Sequence, residues 1–204
     1  MFGVTGLRAS LLSNPRGFGY LSWVGWWLLG HVAGGAGAGL SAAYVGGRFG
    51  LASSSSAGFL LVLACVVWAL EELGAFQIPM PYLRRQVPRL WIAKKPWNHL
   101  AIGFGCQLGA AFLTHVTTTL TYAAFGLAAL SGSLAGGAII GGLYGAARAA
   151  IPALMGPSAT DPTEALRWTL KFDSVEHWVR YASAGLLLAV GAVLFLTLPI
   201  GANR

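Results

Sequence analysis

Charge is what this chain has least of. Its 13 basic and 6 acidic side chains make up 9% of 204 residues, where a soluble domain carries about 25%. So few charges do not coat a globular surface in water, and that excludes an ordinary soluble protein. Cysteine is almost missing as well. Cys65 and Cys106 both lie in apolar stretches and are too few for an extracellular disulfide framework. There is no phosphate-binding glycine loop, no HExxH and no Cys-x-x-Cys, so no soluble-enzyme signature assigns a catalytic residue.

What is present is apolar. Hydrophobic residues make up 56% of the chain and the mean hydropathy is +0.67. Several runs approach the roughly 20 residues that cross a hydrocarbon core. The expectation is an all-α, polytopic transmembrane bundle partnered by the lipid bilayer. It would be one integral domain over 1–204, with spans at 20–46, 57–76, 100–127, 133–155 and 180–200. The N-terminal stretch MFGVTGLRASLLSNPRGFGY lacks a compact signal-peptide layout, so the first span is expected to be retained.

A net charge of +7 would point to nucleic acid in a soluble protein. Here the basic residues cluster in loops, where Lys and Arg set membrane orientation, so nucleic acid is not an expected partner. Arg84, Arg85, Arg89, Lys94 and Lys95 lie in the 77–99 linker, and Arg8 and Arg16 precede the first span. The positive-inside rule then puts the N-terminus and that linker in the cytoplasm and, after five spans, the C-terminus outside. Residues 157–179 carry Asp161, Glu164, Arg167, Lys171, Asp173 and Glu176. They read as an amphipathic cytoplasmic helix opened by Thr160-Asp161-Pro162.

Glycine is abundant, with 29 residues. Gly30/Gly34, Gly35/Gly39, Gly105/Gly109, Gly137/Gly141 and Gly141/Gly145 are spaced by four, which puts small residues on one helix face and lets backbones approach. Such faces serve packing within the chain, a homo-oligomer or other membrane subunits. Gly30–Gly50 and Gly105–Gly126 also form a weak repeat, each opening with small residues and ending in Phe-Gly after a tyrosine.

Polar groups are concentrated in THVTTTLTY, 114–122. On a helix His115, Thr119 and Tyr122 share one face, and Thr114, Thr118 and Thr121 the next. With Gln107 two turns earlier, they form a polar side that must point inward. That side is either a path for a solute, proton or metal or a set of interhelical hydrogen bonds. His31 lies at a depth like that of His115, roughly 16–22 Å at 1.5 Å per residue. The two are candidate ligands for haem b or a metal, with separate packed histidines as the plainer alternative. Cys65 and Cys106 differ in depth by roughly 9 Å, which disfavours a disulfide. Arg148 near the end of span four and Glu71 or Glu72 near the end of span two are candidates for a charge staple.

The stretch RRQVPRLW followed by GFGCQLGAAFLTHVTTTLTYAAFGLAALSGSLAGGAIIGGLYGAARAAIP resembles bacterial multi-pass proteins. They are of the cytochrome c biogenesis (CcdA/DsbD-like) transmembrane family and its methylamine-utilisation relatives. The resemblance covers residues 80–155 and implies a bacterial inner-membrane bundle that moves reducing equivalents or small solutes. The Pro-Cys pairs of the thiol-transferring members are absent. His31 and Cys106 stand in their place, so the architecture carries over and the thiol relay does not. Three functions stay open: a small carrier, a non-catalytic accessory subunit of a respiratory or photosynthetic membrane complex, and a b-type haem protein.

Overall fold

The computed structural model describes residues 20–76, 96–111, 119–154 and 162–198. All regular structure among them is helical. The helices are α1 (Tyr20–Arg48), α2 (Ser55–Glu72), α3 (Trp97–Gly109), α4 (Leu120–Leu130), α5 (Leu134–Leu154) and α6 (Pro162–Thr197), with a 3-10 turn at Leu51–Ser53. Among the described residues two stretches are long and apolar enough to cross a membrane: α2 itself, and His177–Thr197 within α6.

Local chemistry sets the helix ends. Ser54 caps α2, its side chain accepting a hydrogen bond from the Ala57 amide at 3.2 Å. This satisfies one of the orphan amides of a first turn. At the other end Gly74 adopts φ 82. Its amide donates to the Glu71 carbonyl at 2.8 Å and that of Ala75 to Leu70 at 3.0 Å. This is a Schellman stop, and it fixes Glu72 on the last turn of α2. Ser133 similarly opens α5, accepting from the Gly136 amide at 2.9 Å.

Two sequence expectations are corrected. The apolar run 100–127 is not one helix. Its first piece, α3, stops at Gly109, Ala111 turns left-handed at φ 57, and α4 starts at Leu120. A left-handed residue breaks the hydrogen-bond ladder whatever the hydropathy around it. The amphipathic segment 157–179 and the span 180–200 are likewise not separate elements, because α6 runs unbroken from Pro162 to Thr197. Nothing between them lacks an amide or favours a turn, so the helix continues.

The chain forms two compact units. One is Met1–Gly37, Tyr82–His115 and Gly142–Val175; the other is Ala38–Pro81, Val116–Gly141 and Glu176–Arg204. Each draws on both halves of the sequence repeat. In the first unit Trp23 and Trp27 of α1 pack with Leu100, Ala101 and Phe104 of α3 and Ala149 of α5. In the second, Leu61, Cys65 and Ala69 of α2 pack with Ala123 of α4 and Ala184 and Leu187 of α6. There α2 and α6 are antiparallel. A Cβ on Gly58 would meet Leu198, Phe59 meets Phe195 edge-on, and Glu72 meets Arg180.

The outward faces of these two helices are apolar. Gly58, Leu61, Cys65, Ala69 and Glu72 make the buried stripe of α2, while Leu60 and Leu63 are at least 60% exposed. Only 28% of the most apolar window of α2, and 22% of that of α6, is buried. The core helix of a soluble domain would be mostly buried, with polar residues on its outer face.

Candidate functional site

In the second unit a carboxylate, a guanidinium and a helix start come together. Glu72 is 6% exposed. Its Oε1 accepts from both the backbone amide and the hydroxyl of Thr119, each at 2.9 Å. Its Oε2 faces Arg180 Nε at 3.6 Å, and Arg180 also donates from a terminal guanidinium nitrogen to the Glu71 carbonyl at 3.3 Å. Thr119 immediately precedes α4, so the carboxylate sits on the positive end of that helix. One turn further, the Tyr122 ring lies 5.8 Å from that of Trp68.

The local causes are legible. The Schellman stop at Gly74 fixes where Glu72 lies on its helix. The hydroxyl and amide of Thr119 are adjacent donors that suit one carboxylate oxygen. Arg180 lies near the start of the apolar part of α6, where a long cationic side chain reaches back to a partner. A buried carboxylate without such partners carries a large desolvation cost.

Of the charge staple expected from Glu71 or Glu72 and Arg148, the two glutamates belong to the second unit and Arg148 to the first. The cation on Glu72 is Arg180, which sequence reasoning missed. Arg148 is turned to its own helix, donating to the Tyr144 hydroxyl at 2.8 Å with its guanidinium 6.0 Å from that ring centre. The two lie one turn apart on α5, the spacing at which side chains meet.

No family model, curated protein or solved structure matches this chain. Its function is therefore argued from its own residues.

The first unit holds the second polar position. His31 is 1% exposed and its Nδ1 lies 3.0 Å from the Trp27 carbonyl. A carbonyl only accepts, so Nδ1 carries the hydrogen, and in the neutral ring Nε2 is left as the acceptor or ligand atom. Trp23, Trp27 and His31 form a ladder, with ring centres 5.1 and 4.5 Å apart. The indole Nε1 of Trp27 is buried without a hydrogen-bond partner. The backbone of His31 is gripped from two sides, since a Cβ on either Gly109 or Gly145 would fall on its carbonyl oxygen.

The other expected site residues are distributed as follows. Gln107 is half-buried on α3, next to exposed Cys106. Thr119 and Tyr122 belong to the second unit, at the start of α4. Thr114, His115 and Thr118 lie outside the described residues, and with them the second candidate haem ligand. Among the described residues no group of three His, Cys, Asp or Glu side chains is placed to hold a metal. Of the glycine faces, Gly30 and Gly34 lie on the backbone of Ile102 and Cys106, Gly105 on Trp27 and His31, and Gly39 on Gly137 and Gly141. Gly35 is buried.

Proposed function

We propose that this chain is a small carrier-like protein of a bacterial cytoplasmic membrane, moving a small solute or ion. In this reading the spans are α1, α2, the broken pair α3 and α4, α5 and the later part of α6. The observation that carries it is the break. Backbone that leaves the helix at membrane depth is tolerated where it is buried in protein or lines a wet cavity. Carriers place solute sites at the ends of such half-helices. Here the second half-helix, α4, starts on the buried carboxylate of Glu72. Intramembrane ionisable groups of this kind mark solute and proton paths.

The antiparallel pairing of α2 and α6 supports the orientation. Glu72 and Arg180 lie at one end, and with a basic linker following α2 in sequence the positive-inside rule would turn that end toward the cytoplasm.

A second reading is an accessory subunit of a larger energy-transducing membrane complex. It is favoured by Gly25 and Gly47 of α1, where a Cβ would meet no atom within 4 Å. Glycine costs about 1 kcal/mol in a helix relative to alanine, so unused glycines leave room for another helix. The native mass after gentle extraction from the source membrane separates the two. A particle of one or two 21.2 kDa copies plus detergent is the carrier outcome. A particle containing other polypeptides is the subunit outcome and defeats the carrier reading.

A further inference from the structure

We propose that α3 and α4 are a second copy of α1, opened by a seven-residue insertion at 112–118 that the scaffold does not need. The duplication stands apart from the carrier reading. The role left to the insertion rests on it.

The first support is the crossing of α1 and α3 in the first unit. A Cβ on Gly30 would meet the Ile102 carbonyl oxygen and the Cys106 amide, and one on Gly105 would meet the Trp27 carbonyl oxygen and the His31 amide. A Cβ on Gly34 would fall on the Cys106 carbonyl, and one on Gly109 on that of His31. Each contact is returned by the residues 75 positions away: Trp27 answers Ile102, Gly30 answers Gly105, His31 answers Cys106 and Gly34 answers Gly109. Such reciprocity marks a two-fold axis between equivalent segments, here two parallel helices of one chain. Parallel internal repeats are one way in which carriers are built.

The second support is how each copy ends. Helix α1 stops at Arg48 and α4 at Leu130. Two residues past each, a glycine turns left-handed, Gly50 at φ 64 and Gly132 at φ 68. The next helix then opens on a serine that accepts from the amide three residues on, Ser54 from Ala57 and Ser133 from Gly136. Each copy leads into its second helix by the same local chemistry. At these exits the separation is 82 positions rather than 75, so the second copy is seven residues longer.

The extra residues can be located. At a separation of 75, Ala111 stands for Ala36, which is helical in α1. Ala111 is where the second copy leaves the helix, at φ 57. At a separation of 82, Thr119 stands for Gly37, and α4 starts at the next residue. The seven residues between them are 112–118. Seven residues make about two turns at 3.6 per turn, so joining Ala111 to Thr119 keeps the side chains of α4 on the faces that a continuous helix gives them. Helix α1, without the insertion, runs unbroken through 29 residues. What the insertion adds is the break itself, the feature on which the carrier reading stands.

The test is deletion of 112–118 from the full chain, studied in lipid nanodiscs. The variant is expected to keep its helix content by circular dichroism and to unfold no earlier than wild type. Spin labels at His99→Cys and Ala124→Cys, on a Cys65→Ala and Cys106→Ser background, lie 18 residues apart after the deletion. A continuous helix then gives one narrow distance of about 27 Å at 1.5 Å per residue. Deletion of seven residues from α1, 36–42, is expected to abolish folding. Loss of the fold on deleting 112–118, a label distance unlike that of a continuous helix, or equal tolerance of the two deletions overturns the proposal. A folded 112–118 deletion that purifies from the source membrane with other polypeptides keeps the duplication and removes the carrier reading.

Discussion

Two glycines converge on the carbonyl oxygen of His31 in the first unit. Gly109 of α3 and Gly145 of α5 both approach it with their Cα atoms, and a methyl group on either would occupy the oxygen's place. Cα–H···O contacts of this kind recur where helices cross closely, and in a membrane such packing replaces the hydrophobic drive between helices. Gly109→Ala and Gly145→Ala are each expected to lower stability by about 1–3 kcal/mol or more, the cost of overpacking a fitted core. At Gly25 on the same α1 an added Cβ would meet nothing within 4 Å. Gly25→Ala should be neutral or stabilising by about 1 kcal/mol. Thermal unfolding of the three variants in detergent checks the contrast, and equal losses in all three would remove the close crossing as the cause.

At the scale of elements, the determining feature is the gap between α3 and α4. Ala111 holds φ 57, a conformation costing a non-glycine residue roughly 1–2 kcal/mol. Ala111→Gly relieves that cost and is expected to raise the unfolding midpoint without loss of helix. A lowered midpoint would mean that the left-handed turn is not the native one. Between α2 and α6, Arg180→Met removes the cation beside buried Glu72 and, with Arg180 43% exposed, is expected to destabilise by about 1–3 kcal/mol. The double variant with Glu72→Gln should recover part of this in the same unfolding assay. Hydropathy made α1, α2 and α5 legible, since each is an apolar run closed by a turn residue or cap, such as Gly50, Gly74 and Ser133. It did not reveal the gap, because no Pro or Gly lies between Gly109 and Leu120 and the break rests on a strained alanine. Nor did it reveal Arg180. That residue lies 109 positions from Glu71, and only the antiparallel packing of α2 on α6 brings them together. Arg148 has a local partner in Tyr144, one turn away on α5.

At the scale of the whole molecule, α6 sets the relation to the bilayer. Its 36 residues extend about 54 Å at 1.5 Å per residue, well beyond a hydrocarbon core of about 30 Å. The apolar part starts at His177, where His177, Trp178 and Tyr181 cluster, with His177–Trp178 ring centres 5.1 Å apart. Tryptophan and tyrosine favour the headgroup level, so on the proposed membrane reading this cluster marks the boundary. Leu186, nine residues further, is 54% exposed and lies about 13 Å deeper. Both positions are open on the protein surface, so only lipid distinguishes them. With Cys65→Ala and Cys106→Ser as background, His177→Cys should react with a membrane-impermeant maleimide in inverted vesicles and Leu186→Cys should not. Reaction at both in intact vesicles would place α6 in water. Reaction at His177→Cys only in right-side-out vesicles would invert the orientation, and the Glu72–Arg180 pair would then meet the opposite aqueous phase.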